Sequence, residues 1–468
     1  MGKAELRGKR ASRRKRPRSQ PIGRVVCALV LLILVLSASL AHAIAHAAAY
    51  LGVASCAGST CHGRSEGNGK VVRQDELAIL QDGSSAAGAH ARAYAVLASA
   101  RGQRIAATLG LGPASSAPAC LGCHASNAPQ GLRGPRYRTA DGIGCETCHG
   151  PASAWISAHY ALPASHASNL ALGMTALDNP QVRARVCLDC HYGSAEAGQF
   201  VTHAMMAAGH PRIAFELDLF SALQAHYDLD ADYTARKRRP DSVQLWAVGQ
   251  AEAVRRQAAL FARPNLASEG LFPQFTFFDC HSCHRAIRDG PEPRRTFEDN
   301  PARPIPFANP PFNDENMILL SLVASLYAPG EAARYETAAR GFHRAMGQGA
   351  KASGEAARTL ASAAASLSDR LAARSFAPAS AFDAVAAVAA RTTSARFTDY
   401  AGSAQAVMAI DTLLNALVRE GRVTVGAAAG IRARINRAYE AVAAPERYDP
   451  PTFRRALGEA ARAIAALR

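Results

Sequence analysis

Cysteine and histidine are the residues of this chain whose spacing can support chemistry. Ten of the eleven cysteines fall into five pairs, and a histidine directly follows the second cysteine of every pair. Two residues separate the cysteines in four of the pairs, whereas four residues separate them in the first pair. The five segments are Cys56/Cys61-His62, Cys120/Cys123-His124, Cys145/Cys148-His149, Cys187/Cys190-His191 and Cys280/Cys283-His284.

The sequence Cys-x-x-Cys-His is the attachment segment of a c-type haem. The two thiols form thioethers with the porphyrin, and the adjacent imidazole becomes the proximal ligand of the iron. Structural zinc sites also contain Cys-x-x-Cys pairs, but they do not require a histidine after every second cysteine. A disulfide framework is typical of short secreted domains, and this chain has 468 residues. The five segments therefore predict five covalently bound haem c groups, held by these ten cysteines and five proximal histidines.

Each iron also needs a sixth ligand unless it stays open, and histidine is the first candidate. Of the fifteen histidines, five are proximal, and His42 and His46 lie in the N-terminal segment. His281 lies between the two cysteines of the fifth pair and cannot reach the opposite face of its own iron. His343 lies in the C-terminal part of the chain, away from the others. The remaining candidates for the distal position are His90, His159, His203, His210, His166 and His226.

Spacing favours four of these six candidates. His159 lies ten residues after His149, close enough for the chain to fold back over a neighbouring haem. His203 and His210 are seven residues apart, and we expect them on one face of a helix, from which they would reach two different haems. His90 precedes an amphipathic stretch between the first two sites. The choice between the other two candidates stays open.

Methionine is the alternative axial donor, and it would raise the reduction potential of the iron. Met174, Met205 and Met206 lie near the sites, and we expect them to pack in the core instead. Histidine on both faces would give most haems a comparatively low potential, which suits a chain of electron transfers. An iron without a distal ligand remains an alternative.

The first 47 residues predict an export signal. Residues 1–24 contain ten Lys or Arg and one Glu, an apolar run of 17 residues follows at 25–41, and small-residue cleavage sites come next at 41–43 and 45–47. This order is typical of a secretory signal peptide. The apolar run is also at the lower limit for crossing a bilayer, so an uncleaved anchor is the alternative. We expect a periplasmic protein, which contacts the membrane only if residues 25–41 are retained.

The charge of the chain argues against one class of partner. The formal net charge is +16 at pH 7, but residues 1–24 supply nine of these charges and leave about seven for the remainder. So mild an excess does not predict nucleic-acid binding. The expected partners are a redox protein that donates electrons and another that accepts them.

Composition divides the chain into four predicted segments: the signal or anchor at 1–47, a pentahaem domain at 48–300, a Pro-rich connector at 301–316 and an Ala-rich helical domain at 317–468. In the last segment, apolar residues recur at the i, i+3 and i+4 positions typical of helices. Predicted helices there span residues 317–327, 331–346, 354–374, 380–391, 403–421, 425–444 and 451–467. This domain would cover haem faces, dock a partner or form an oligomer.

The expected fold is therefore mainly α: a multihaem cytochrome c with little regular sheet, followed by an α-helical C-terminal domain. Aromatic residues make up only 6% of the chain, which is few for filling a core of this size. Five porphyrins would supply the missing apolar surface, so we expect the haems to form the core of residues 48–300. The motifs of this segment are separated by irregular stretches with only short helical patterns, such as the one at 242–262.

Several of these segments resemble a known family. They are the wide first site at 56–63, the third site at 142–151 with Trp155 and His159, the fourth site with residues 200–215, and the block 400–408. They resemble the cytochrome c-554 family, in the superfamily of hydroxylamine oxidoreductase and pentahaem nitrite reductase. The resemblance covers residues 50–290 well and the remainder loosely. It implies stacked and perpendicular haem pairs with edges in near contact, and fast electron transfer between them.

The chain also departs from these relatives. Pentahaem nitrite reductase has a lysine as the proximal ligand of its catalytic haem, whereas all five segments here end in histidine. The cytochrome c-554 carrier has four haems, one of which lacks a distal ligand, and this chain has a fifth attachment segment.

Three functions are consistent with the sequence. We expect an electron carrier of a respiratory or nitrogen-cycle redox chain. The alternative is an enzyme in which a five-coordinate haem reduces or oxidises a small nitrogen species, with Arg212 or Tyr160 as proton donor. The third is a subunit whose helical part docks onto a larger redox complex.

Overall fold

The computed structural model describes residues 48–67, 73–161, 163–285, 303–306, 309–377, 379–394 and 400–468. The predicted signal or anchor at 1–47 lies outside the described residues, and so do residues 301–302 and 307–308 of the predicted connector. Within the rest, Ala49–Arg468 forms one compact unit.

The fold is mainly helical, as predicted. Up to residue 240 the helices are short and are joined by loops and single 3₁₀ turns. They are α1 (Glu76–Gln81), α2 (Ala100–Thr108), α3 (Pro118–His124), α4 (Cys145–His149), α5 (Ile156–His159), α6 (His166–Ala171), α7 (Pro180–His191), α8 (His203–Ala207), α9 (Leu217–Leu223) and α10 (Ala231–Arg236). The longer α11 (Ser242–Phe261) and the single turn α12 (Pro264–Ala267) follow. In the described part of the chain, the sheet consists of one antiparallel pair, β1 (Ser268–Glu269) and β2 (Phe272–Pro273).

The C-terminal part contains the seven helices that apolar periodicity predicted, each within about four residues of its predicted ends. They are α13 (Glu315–Tyr327), α14 (Pro329–Ala345), α15 (Ala350–Ala372), α16 (Ser380–Thr392), α17 (Tyr400–Arg419), α18 (Val425–Ala441) and α19 (Pro450–Ala465). Local chemistry sets several of these ends. The Thr424 hydroxyl caps α18 by accepting a hydrogen bond from the Ala427 amide, and the Asp449 carboxylate caps α19, which starts with proline.

One hydrophobic core joins α11 to the C-terminal helices. Trp246 of α11 is fully buried, and it belongs to the same cluster as the apolar residues of α13 to α19. The polar residues of this buried helix have partners. The Gln244 amide donates to the carbonyls of Ala372 and Arg374 at the end of α15, and Glu252 accepts a hydrogen bond of 2.7 Å from Ser368. The core therefore extends across residue 300, and the division into two domains at that residue stays a prediction.

Helix α17 is long and apolar enough to cross a membrane by length and composition, with a mean hydropathy of 1.3. Its most apolar window is 83% buried inside the protein. The helix packs against its neighbours in the C-terminal layer, and this burial accounts for its apolar character.

Candidate haem-binding sites

Each of the five histidines that follow a cysteine pair lies opposite the imidazole of one other histidine. The ring centroids are separated by nearly the same distance in all five cases. The pairs are His62/His159 at 6.1 Å, His90/His191 at 6.3 Å, His124/His210 at 6.2 Å, His149/His226 at 6.3 Å and His203/His284 at 6.3 Å.

This spacing fits a metal ion between the two imidazoles. With metal–nitrogen bonds of about 2.0–2.1 Å and a ring centre about 1.1 Å behind each nitrogen, two axial imidazoles have centroids about 6.3 Å apart. Aromatic rings that pack directly against each other also show centroid distances of about 4.5–7 Å, so a single distance does not distinguish the two arrangements. The agreement among five independent pairs, more than any single distance, therefore indicates a shared ligand geometry.

Helices position three of the five histidines that follow a cysteine pair. His124, His149 and His191 are the last residues of α3, α4 and α7. A helical turn places cysteines three residues apart on one face, with the histidine at the helix end beside them. The local sequence of these sites therefore presents both thiols and the imidazole to the same space.

The first site is built differently, because four residues separate its cysteines. The chain forms a turn in which the His62 amide donates to the Cys56 carbonyl, at 3.2 Å. Gly63 follows directly and has no room for a side chain, since a Cβ there would lie 2.0 Å from the carbonyl oxygen of Ala57. The turn thus brings His62 back beside Cys56 despite the longer spacing.

The prediction that His203 and His210 share one helix face is wrong. Helix α8 ends at Ala207, and Gly209 adopts a left-handed conformation with φ of 112°. The chain therefore turns before His210. The two side chains still reach different sites, because His203 lies opposite His284 and His210 opposite His124.

Of the two candidates between which the sequence did not choose, His226 lies opposite a proximal histidine and His166 does not. His166 instead has its Nε2 atom 3.2 Å from the carboxylate of Asp178. The two histidines set aside from the sequence also contact other groups. His281 Nδ1 donates to the Pro445 carbonyl over 2.7 Å, and His343 is buried beside Asp314.

Four of the five histidine pairs surround one continuous cavity of about 1470 Å³. A pocket for a single small ligand measures about 300–1,000 Å³, so this space is larger than one such ligand needs. All eight cysteines of the first four sites line it, together with apolar side chains such as Leu97, Ile105 and Trp155. The cavity occupies the place where a side-chain core would be expected. The fifth site lies outside this lining, and its Cys283 and His284 are exposed.

Cysteines of different sites meet inside the cavity. The Cys56 thiol lies beside that of Cys145, and this contact, together with burial, raises the pKa of Cys56. Cys123 and Cys190 form the equivalent pair, with the same effect on the pKa of Cys123. Because a thioether joins the porphyrin at its edge, these contacts bring the first site next to the third and the second next to the fourth.

The second nitrogen of several paired imidazoles has a hydrogen-bond acceptor, which holds a proton on Nδ1 and leaves Nε2 free to bind a metal. The acceptor is a backbone carbonyl in three cases and a carboxylate in one. These contacts are His124 to Ala93 at 2.7 Å, His210 to Pro211 at 2.8 Å, His226 to Gln224 at 3.2 Å and His62 to Glu76 at 3.0 Å. The side-chain amide of Asn169 lies 3.2 Å from His159 Nδ1.

Burial favours the neutral form of five of the ten paired imidazoles, which is the form that binds a metal. It lowers the pKa of His149 to about 3 and that of His191 to about 4. It also lowers the pKa of His90, His159 and His210. His62 differs, because its hydrogen bond to Glu76 raises its pKa.

The two proton donors considered for an enzyme differ in their surroundings. Arg212 forms an ion pair of 2.8 Å with the buried carboxylate of Glu315, whereas Tyr160 lines the cavity and its side chain is 73% exposed. Met174 and Met205 line the cavity, whereas imidazoles lie opposite all five proximal histidines.

Sequence reasoning missed two acidic residues of these sites. Glu146, inside the third attachment segment, accepts hydrogen bonds from the backbone amides of Leu51, Gly52 and Ala152 at 2.7–2.8 Å. It thereby ties the chain that leads to the first site onto the third. Its position between two attachment cysteines was the feature of the sequence that could have identified it. Glu76 had no such signal, since it lies fourteen residues after the histidine that it contacts.

The comparisons with known proteins agree with this geometry. Residues 81–150 match the family model described as cytochrome c554 and c-prime, and this range includes the second and third attachment segments and His90. No curated protein and no solved structure gives a significant match. The family implies a c-type cytochrome with covalently bound haem c that takes part in electron transfer. Residues 81–150, which are about a seventh of the chain, are thus similar to the cytochrome c554 family.

Proposed function

We propose that this protein is a periplasmic electron carrier that binds five haem c groups and passes electrons through them. The observation that carries the proposal is the set of five opposed histidine pairs, one at each attachment segment. Protein ligands at both axial positions favour an electron carrier over an enzyme, since an iron with two tightly bound ligands has no position left for a substrate.

The proposed ligand set follows from these pairs. The ten cysteines of the five segments form the thioethers, and the histidine after each pair is the proximal ligand. The distal ligands are His159 for the first site, His210 for the second, His226 for the third, His90 for the fourth and His203 for the fifth. His166 is left out of this set because it contacts Asp178.

The bound haem supplies one-electron chemistry at its iron, and the residues of the chain place the sites next to one another. The contacts of Cys56 with Cys145 and of Cys123 with Cys190 support two closely coupled pairs of sites. A buried polar cluster lies between the fourth and fifth sites. Tyr192, directly after His191, donates to Glu315 at 3.1 Å, and Glu315 is paired with Arg212.

The exposed fifth site is where a redox partner would come closest to an attached group. Cys283 and His284 lie at the surface and outside the cavity that the other four sites line, where Cys61 is the exposed cysteine. We therefore expect one of the two redox partners to exchange electrons there. The C-terminal helices remain the proposed surface for oligomerisation or for docking onto a larger complex.

Location in the periplasm is supported by the sequence pattern at 1–47 and by the attachment chemistry, which takes place outside the bacterial cytoplasm. The protein would contact the membrane only if residues 25–41 stayed in place as an anchor. Comparison of the N-terminal sequence of the mature protein with the encoded sequence distinguishes the two.

The haem-loaded protein tests the proposal directly. Intact-mass measurement should give five covalently attached haems, and the electron paramagnetic resonance (EPR) spectrum of the oxidised protein should contain low-spin signals alone. Nitric oxide should leave that spectrum unchanged. A count below five would contradict the ligand set, and a high-spin signal abolished by nitric oxide would favour the enzyme alternative.

A further inference from the structure

We propose that hydrogen bonding at the axial histidines gives the four haems of the cavity different reduction potentials. In this assignment the first site, with His62 and His159, has the lowest potential of the four, and the fourth site, with His191 and His90, has the highest. The inference rests on the proposed ligand pairs and goes beyond them by ordering the sites.

Glu76 distinguishes the first site. Its Oε2 atom lies 3.0 Å from His62 Nδ1, and the two side chains are 15% and 33% exposed. Among the described residues it is the one carboxylate that contacts any of the ten paired imidazoles. The nearby cation is already paired, since Arg73 binds Asp75 and Asp228. The negative charge of Glu76 is therefore not offset by a free cation at this contact.

The fourth site has the opposite environment. His191 Nδ1 is buried and, within the described part of the chain, has no hydrogen-bond partner. Aromatic rings surround it instead, with the ring centroids of Phe215 and Phe220 at 4.7 Å and 5.4 Å. The second and third sites lie between these extremes, because His124, His210 and His226 donate to neutral backbone carbonyls.

The two environments act on the oxidised iron in opposite directions. A carboxylate that accepts the Nδ1 proton makes the imidazole a stronger electron donor, which stabilises the more positive oxidised state and lowers the potential. An imidazole without an acceptor in an apolar pocket is a weaker donor. Burial also disfavours the state with the larger charge, so the potential rises. Hydrogen bonding to the axial ligands and burial tune the reduction potential of haem proteins in general.

The first experiment is a potentiometric titration of the haem-loaded protein with Glu76→Gln, followed by visible and EPR spectroscopy. Removing the hydrogen-bond partner of a metal ligand changes metal affinity by about 10–100-fold. We therefore expect the ratio of oxidised to reduced iron at one site to fall about tenfold at fixed ambient potential, which is a rise of about 59 mV for a one-electron couple. The matched control is Glu66→Gln, which removes the same charge from an exposed position nearby.

A second measurement assigns the signals. His159→Ala should remove the low-spin signal with the lowest potential among the cavity sites, and His90→Ala should remove the one with the highest. The order is overturned if these variants remove signals of intermediate potential. The role of Glu76 is overturned if Glu76→Gln and Glu66→Gln give the same potentials while five low-spin haems are present. Fewer haems or a high-spin signal in the unaltered protein would instead contradict the ligand pairs.

Discussion

Glu146 should be one of the most sensitive positions in the protein, although no electron needs to pass through it. Its side chain is 6% exposed, and its two oxygens accept three backbone hydrogen bonds of 2.7–2.8 Å. The donors are Leu51 and Gly52, before the first attachment segment, and Ala152, after the third. One carboxylate therefore holds together two stretches of chain that are about a hundred residues apart.

The substitution Glu146→Gln keeps the shape of the side chain but replaces one accepting oxygen with an NH₂ group. Each hydrogen bond to a charged group contributes about 1.5–3 kcal/mol, and a buried donor left unpaired costs about 1–3 kcal/mol. Because the NH₂ group cannot accept, one or two of the three hydrogen bonds should break, and the free energy of unfolding should fall by about 2–4 kcal/mol. The first attachment segment should also lose its fixed position beside the third.

Denaturant unfolding of the haem-loaded protein measures this change, with circular dichroism and haem absorption as independent signals. Glu196→Gln is the matched control, because Glu196 is exposed. A surface substitution of this kind stays within about 0.5 kcal/mol of the original protein. The reasoning is refuted if the two variants unfold within that range of each other.

Three further changes test the sites and the core. His226→Ala should convert one low-spin iron to a high-spin form that binds nitric oxide, whereas His166→Ala should leave all low-spin EPR signals intact; the opposite result would exchange their roles. Gly63→Ala should reduce the haem count by one in the intact mass, because its Cβ would lie 2.0 Å from a backbone oxygen; a full count would show that the turn can adapt. Burial alone would raise the pKa of the Glu252 carboxyl, but its hydrogen bonds and ion pairs outweigh burial and lower the pKa below the ordinary value of about 4.5. The stability that Glu252 contributes is therefore present above about pH 4.5 and is lost as the pH falls through the lower pKa of the folded protein. Between pH 7 and pH 3, the free energy of unfolding should therefore fall less for Glu252→Gln than for the unaltered protein. An equal fall in the two proteins would argue against this role.

The cysteine pairs and the helical layer could be predicted because both are local patterns. An attachment segment occupies five to seven consecutive residues, and a helix buries one face at a period that the chain itself displays. The seven C-terminal helices and the mainly α fold are accordingly confirmed. The five attachment segments stay a prediction that the described geometry supports.

The distal side was harder to predict, because its contacts join residues far apart in the chain. His226 is 77 residues from its partner His149, and His90 is about a hundred residues from His191, so spacing could not favour either pairing. The prediction for His203 and His210 failed for a local reason, since Gly209 permits a left-handed turn that ends α8 early. Seven-residue spacing alone does not distinguish a helix from a helix followed by a turn.

The sequence by itself determined the kind of cofactor, the number of attachment segments and the change from short segments to long helices. Covalent attachment requires two thiols and an imidazole within a few residues, so no folding is needed to recognise it. Only the tertiary structure decided which histidine lies opposite each proximal one, that four sites share a cavity and that Glu76 contacts His62. These relations depend on how separate stretches of chain pack together, and packing is set by the whole fold rather than by the order of neighbouring residues.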